Sequence, residues 1–288
     1  MGLNFSETPG VLNFIITGQT SSGNKLLQAA LNNYELPNHS SPITCHSALL
    51  SDDAAVRRYY HELYFGPSGN TPDWLVEGHI SGEQYLTNKI FDNNLLGEKA
   101  IGVCVLYPHM YARDLWDYFI HWCRVGDFCV VSLDRNPFSC FACLKLWERD
   151  NHYLREITPP SYRTYTDVVG HECPSYSHFP PHTAPVHVDV QEAITFVRAH
   201  VAAKEKTDAL CDDRLEISYR ELTQHFYATS EELLRFLNLP LNPSWSSAWD
   251  KEYRKTPATP VKKMIANWAT LRMQLPDDIA ELADPEAL

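Results

Sequence analysis

The residues best suited to chemistry come early, in the loop Gly18-Gln19-Thr20-Ser21-Ser22-Gly23-Asn24-Lys25. An apolar run precedes this loop and a helical pattern follows it, which aims backbone N–H groups and a helix N-terminus at a phosphate. Gly23 permits close approach of the backbone, and the hydroxyls of Thr20, Ser21 and Ser22 add donors. The nucleotide-loop pattern G-x-x-x-x-G-K-[ST] is nearly met. Asn24 intervenes between Gly23 and Lys25, and Leu26 stands where a magnesium-binding hydroxyl belongs. Phosphate binding is therefore expected, and ATP with magnesium is disfavoured. Other reactive clusters carry less. The stretch His171-Glu172-Cys173, His178, His182 and His187 matches no zinc spacing, so no metal is expected. Cys140 and Cys143 form a CxxC inside a helical pattern with no second pair, which reads as core packing. Asp52-Asp53 reads as a helix start.

Positioning such a loop takes a strand and a helix. Val11 to Thr17 reads as a buried strand closed by Gly18, with a helix from about Asn24 that carries Leu26, Leu27, Ala30 and Leu31 on one face. Helices are expected at 53–64 and 82–93, the second opened by Ser81 and Gln84 as a capping box. Lys99 to Tyr107 reads as a strand, 110–123 as a helix with Trp116, Tyr118, Phe119 and Trp122 turned to the core, and Phe128 to Leu133 as a strand. A helix should start at Pro137, a favoured first position. The prolines between 151 and 187 predict a long loop or lid. Beyond it come a helix at 190–204 capped by Asp189 and Glu192, a strand at Leu215 to Ser218, helical segments at 220–226 and 230–237, and short C-terminal helices. Strands alternating with helices predict an α/β fold with a central parallel sheet flanked by helices, in a single domain spanning residues 1–288.

Bulk properties narrow the partners. The 288 residues suffice for one large α/β domain, and 44% hydrophobic with 21% charged residues is ordinary for a globular protein. A net charge of −12 argues against nucleic-acid binding, which needs a basic face. No apolar run approaches the roughly 20 residues of a transmembrane helix, and the N-terminus lacks a basic region followed by an apolar core. The eight cysteines are scattered through core-like segments, as reduced thiols are. The chain is read as cytoplasmic.

Four segments resemble the sulfotransferase family, in the family's order. Thr20 to Leu27 resembles its P-K-S-G-T-T-x-L loop, with Ser22-Gly23 on the S-G. The strand ending in Asp134-Arg135-Asn136-Pro137 resembles the R-[ND]-P motif, with Cys143 at the position of the family's serine. Leu215 to Leu222 with Glu231 to Leu237 is similar to the Y-E-D-L segment and the F-L-G-L-P helix end. Arg254-Lys255 and Ile265-Ala266-Asn267-Trp268 resemble the C-terminal basic segment and I-x-N-[WY] helix.

The resemblance implies a P-loop-like fold that binds PAPS (3′-phosphoadenosine 5′-phosphosulfate) and its product PAP. The implied 5′-phosphate loop is Thr20, Ser21, Ser22, Gly23, Asn24 and Lys25. Arg135, Cys143 and the Arg254-Lys255 pair are implied at the 3′-phosphate, and Tyr219 at the adenine. The implied reaction transfers a sulfuryl group to a hydroxyl of a small molecule, lipid or sugar. His109, after the Lys99 to Tyr107 strand, maps onto the family's base. Ser21 replaces the cation that steadies the leaving oxygen, so Lys25 is the expected substitute. Two alternatives stand beside this reading. One is a P-loop kinase using Lys25 and Asp134 with magnesium. The other is a catalytically inactive nucleotide-binding relative.

Overall fold

The computed structural model describes residues 11–19, 22–34, 43–47, 86, 91, 98–112, 115–126, 128–157, 184–212, 214–247 and 260–283. The expected helices at 53–64 and 82–93 lie outside the described residues, apart from Leu86 and Phe91, both buried. The chain divides into two compact units, each discontinuous in sequence. One comprises Met1–Asp134 and Ala203–Ala258, the other Arg135–Ala202 and Thr259–Leu288.

The first unit holds a five-stranded parallel sheet, the class expected from the alternation of strands and helices. Its strands are β1 (Leu12–Gly18), β2 (Ile43–Ser47), β3 (Ala100–Leu106), β4 (Phe128–Asp134) and β5 (Arg214–Ser218), in the order β2-β3-β1-β4-β5. All four pairings are parallel. Phe14, Ile15 and Ile16 of β1 are wholly buried, as a central strand covered on both faces requires. On one face, α1 (Asn24–Asn32) contributes Leu27, Ala30 and Leu31 to a core shared with Phe14, Ile16, Val131 and Leu215. Trp245 joins the same core, and its indole N–H donates to the Ala30 carbonyl at 3.1 Å.

Strand β2 is not evident from the sequence. Ile43 and Cys45 are buried on either side of half-buried Thr44, but five residues reading Ile-Thr-Cys-His-Ser carry little of a strand's usual composition. It is the edge strand among the described residues, and α1 packs along that edge. Asn32 accepts from the Cys45 N–H at 2.7 Å and donates to the Cys45 carbonyl at 3.0 Å, where a further strand would otherwise pair. Gln28 donates to the same carbonyl at 2.9 Å.

Two helices, α2 (Tyr107–Ala112) and α3 (Trp116–Arg124), replace the single helix expected at 110–123. Pro108 falls in the first turn of α2, so the strand ends one residue earlier than the sequence suggests and the helix starts there. Trp116, Tyr118, Phe119 and Trp122 are buried as expected, and the last three ring-pack against Phe128 of β4.

The second unit is built on α4 (Pro137–Ile157) and the start of α5 (Val190–Asp208). Asn136 caps α4, accepting from the Ser139 N–H at 3.1 Å, with Pro137 in the first position. The first seven residues of the loop expected from 151 are instead helical, as far as Ile157. After Pro137 at its first position, no proline falls within this helix. The remainder of the expected lid, 158–183, lies outside the described residues. Helix α5 runs four residues past the expected end at 204, and Asp189 caps it through the Glu192 N–H at 2.8 Å. Glu192 does not complete the cap but pairs with Lys145 of α4.

Phe138, Phe141 and Ala142 of α4 meet Ala193, Ile194 and Val197 of α5 in a second core. The short helices α8 (Val261–Met264), α9 (Trp268–Met273) and α10 (Asp277–Ala280) supply Val261, Met264, Leu271 and Ile279 to it. Helices α6 (Tyr219–Gln224) and α7 (Phe226–Phe236) follow β5 in the first unit. Among the described residues, no helix is long and apolar enough to cross a membrane.

Candidate functional site

Strand order places the candidate site at the carboxyl ends of the sheet. The connection leaving β1 runs to β2 on one side, while the connection leaving β3 crosses to β4 on the other. Adjacent strands whose connections part in this way open a crevice at their carboxyl ends, the usual ligand position in an open α/β sheet. The register makes the location specific. Leu106 of β3 pairs with Gly18, Gly18 with Leu133 of β4, and Leu133 with Ile217 of β5. Four of the segments singled out in the sequence leave the sheet from this row. They are the glycine loop after Gly18, Tyr107-Pro108-His109 after Leu106, Asp134 followed by Arg135 after Leu133, and Ser218-Tyr219 after Ile217.

The loop is held by its own side chains. Gly18 leaves no room for a side chain, since a Cβ there would lie 2.7 Å from both the Leu133 carbonyl and Ser22 Oγ. Ser22 is wholly buried. Asn24, 6% exposed, donates to Ser22 Oγ at 2.9 Å and to the Gln19 carbonyl at 3.0 Å. These two side chains therefore brace the turn, which the Ser22 N–H also closes by donating to the Gln19 carbonyl at 3.1 Å. The first helical bond runs from the Leu27 N–H to the Gly23 carbonyl at 3.0 Å. The N–H groups of Asn24, Lys25 and Leu26 precede that bond and have no carbonyl within the helix to satisfy them. Leu26 packs against the hydrophobic core, so no hydroxyl occupies the magnesium-ligand position. Thr20, Ser21 and the Lys25 side chain lie outside the described residues.

Gly23 joins the loop to α6. Its φ is +105°, and a Cβ built on it would lie 2.7 Å from Leu222 Cδ2 and 3.3 Å from the Tyr219 ring. The glycine loop and the Tyr219 segment are thus in contact, although nearly two hundred residues separate them. Tyr219 is the first residue of α6, and a capping box fixes its backbone. Ser218 Oγ accepts from the Glu221 N–H at 3.1 Å, and Glu221 Oε2 accepts from the Ser218 N–H at 2.8 Å. Gly23→Ala combines the strain of positive φ with a contact against Leu222, and should cost about 2–4 kcal/mol in urea unfolding. A variant of unchanged stability would mean that the loop does not adopt this backbone.

His109 is half-buried in the first turn of α2, three residues beyond Leu106. Tyr107, two residues earlier, is buried with its hydroxyl near Ser132, Thr207, Asp134 and Asp208. Burial is the main cause that pushes its phenol up to about 12. The nearby hydroxyls of Thr207 and Ser132 oppose the shift, and the two carboxylates add to it. Tyr107 is therefore a neutral anchor for the segment bearing His109. Asp134 ends β4 close to this phenol and to the Lys204 ammonium.

Arg135 is the first residue of the second unit and follows Asp134 directly in the chain. Cys143, half-buried on α4, packs against the core of that unit. Arg254 and Lys255 lie outside the described residues. The sequence did not indicate what Asn267 does. It accepts from the Val188 N–H at 3.0 Å and donates to the Val188 carbonyl at 2.8 Å, pinning the chain that enters α5. Trp268 stacks edge-on against Phe138, so this stretch of Ile265 to Trp268 serves the fold of the second unit. Among the described residues, no group of three His, Cys, Asp or Glu is arranged to hold a metal ion.

No family model matches the chain, and no curated protein matches it. Two solved structures are similar over most of their length. One is the sulfotransferase domain of the olefin synthase from Synechococcus PCC 7002, 14% identical, covering 99% of this chain and 90% of that one with a TM-score of 0.41. The other is the sulfotransferase STF9 from Mycobacterium avium, 10% identical, covering 92% of this chain and 75% of that one with a TM-score of 0.44.

Proposed function

We propose that the protein binds PAPS and transfers its sulfuryl group to a hydroxyl acceptor. The observation that carries this reading is the row Leu106, Gly18, Leu133, Ile217, with the contact of Tyr219 against Gly23. In this reading the backbone of the glycine loop and the N-terminus of α1 hold the 5′-phosphate, with Lys25 contributing charge. Thr20 and Ser21 donate hydroxyls, while Ser22 and Asn24 keep the turn in shape. Tyr219 lies against the adenine. Arg135 takes the 3′-phosphate through its guanidinium fork, with Cys143, Arg254 and Lys255 assigned to the same group.

PAPS supplies the sulfuryl group and a phosphate leaving group. His109 accepts the acceptor's hydroxyl proton, and positive charge with oriented N–H groups steadies the leaving oxygen. Leu26 in the core position supports this reading over a magnesium-dependent kinase. Incubation with PAPS labelled in its sulfuryl group and a panel of phenols, sterols and sugars should give labelled product without added magnesium. Phosphoryl transfer from ATP, in place of sulfuryl transfer, would overturn the assignment.

A further inference from the structure

We propose that Lys206, Trp116 and Tyr111 form an oxyanion-binding site, apart from the nucleotide crevice, for the carboxylate or sulfate group of a small molecule. This inference is independent of the nucleotide reading. All three residues belong to the first unit: Tyr111 to α2, Trp116 to the start of α3, and Lys206 to the last turn of α5. The Lys206 ammonium stands 4.9 Å from the centre of the Tyr111 ring and 5.5 Å from that of Trp116. The two rings meet edge to face, with centroids 5.5 Å apart. Attraction of the cation to both ring faces therefore holds the charge in one place.

That charge is not neutralised. Lys204, two residues earlier, is paired with Glu216 at 3.0 Å and Asp208 at 3.6 Å. Asp208 also pairs with Arg214 at 3.3 Å. Lys206 pairs with no carboxylate among the described residues, although Glu205 is its neighbour in the chain. Its contacts are the two rings.

Trp116 supplies a second donor. The residue is 6% exposed, and its indole Nε1–H is buried with no acceptor among the described residues. A buried donor in this state costs free energy that an oxygen ligand returns. Lys206 is exposed, so its side chain has freedom to admit an oxygen beside the indole. Tyr111, 45% exposed, adds a hydroxyl and an open aromatic surface. Donors and positive charge gathered without an acceptor select an anion. The exposed ring gives added surface to an anion carried on an aromatic group. Successive residues of a helix are rotated by about 100°, so Tyr111 and His109 leave α2 on opposite sides. The site is thus distinct from that of the proposed base.

The test is a proton–nitrogen correlation spectrum of the full chain, titrated with benzoate, inorganic sulfate or the neutral benzamide. The Trp116 indole peak is identified by its loss in Trp116→Phe, or by its contacts with the Tyr111 ring if that variant does not fold. Benzoate should move this peak saturably, and benzamide should not. Lys206→Gln, at an exposed position, should weaken the benzoate response by about 10- to 100-fold, the loss of a charge-assisted hydrogen bond. A stronger response to benzoate than to sulfate would mark an anion carried on a ring, and an equal one a free oxyanion; either supports the site. Saturating adenosine 3′,5′-bisphosphate should leave benzoate bound. An indole peak unmoved by both anions, an equal response to benzamide, unchanged affinity in Lys206→Gln, or displacement by the bisphosphate would each overturn the proposal.

Discussion

Arg135→Ala should weaken binding of adenosine 3′,5′-bisphosphate by about 100- to 1,000-fold while leaving AMP binding nearly unchanged. The size follows from two charge-assisted hydrogen bonds between a guanidinium fork and phosphate oxygens, at about 1.5–3 kcal/mol each. The residue type matters as well as the charge. Lysine offers a point cation without the fork, so Arg135→Lys should recover only part of the loss. The discrimination between the two nucleotides is the informative quantity. Equal losses for both would show that Arg135 supports the fold at the start of α4 and does not recognise the 3′-phosphate. Nucleotide titrations monitored by calorimetry separate the two outcomes.

The second large effect falls on turnover. His109→Ala should lower the rate of sulfuryl transfer by about 10²- to 10⁴-fold, the usual contribution of a positioned general base. Nucleotide affinity should stay close to that of the unsubstituted protein. The argument is positional: His109 follows β3 at the carboxyl edge of the sheet, one strand from the glycine loop. Tyr107 is buried in the same turn, and burial pushes its phenol up to about 12, so it stays neutral across the working pH range. A fully active His109→Ala variant would assign the base to another residue. Loss of nucleotide binding together with turnover would instead make His109 a support for the loop.

Much of this arrangement is legible in the sequence because it depends on local rules. A strand, a glycine and a helix can be read from the apolar run before Gly18 and the apolar face of α1. Pro137 marks the start of α4. Other features depend on tertiary packing and leave little local trace. Strand β2 is five residues of ordinary polarity, made a strand by pairing with β3 and by the amide of Asn32. The inward turn of Ser22 and Asn24 is another case. Their side chains are the kind that bind phosphate, yet Gly18 leaves a space that Ser22 fills, and Asn24 bonds to it. The contact of Gly23 with Tyr219 and Leu222 is long-range, and no spacing rule predicts it. Its local sign is only that a glycine, free to take positive φ, stands at that position.

The most direct measurement of the central claim is thermal unfolding in the presence of adenosine 3′,5′-bisphosphate, AMP, or ATP with magnesium. A ligand that binds only the folded protein stabilises it by about 2.7 kcal/mol at a hundred times its dissociation constant, a shift of several degrees. The account predicts that the bisphosphate raises the melting temperature most, AMP less, and that magnesium adds nothing. A larger shift with ATP and magnesium, or none with any nucleotide, would contradict it.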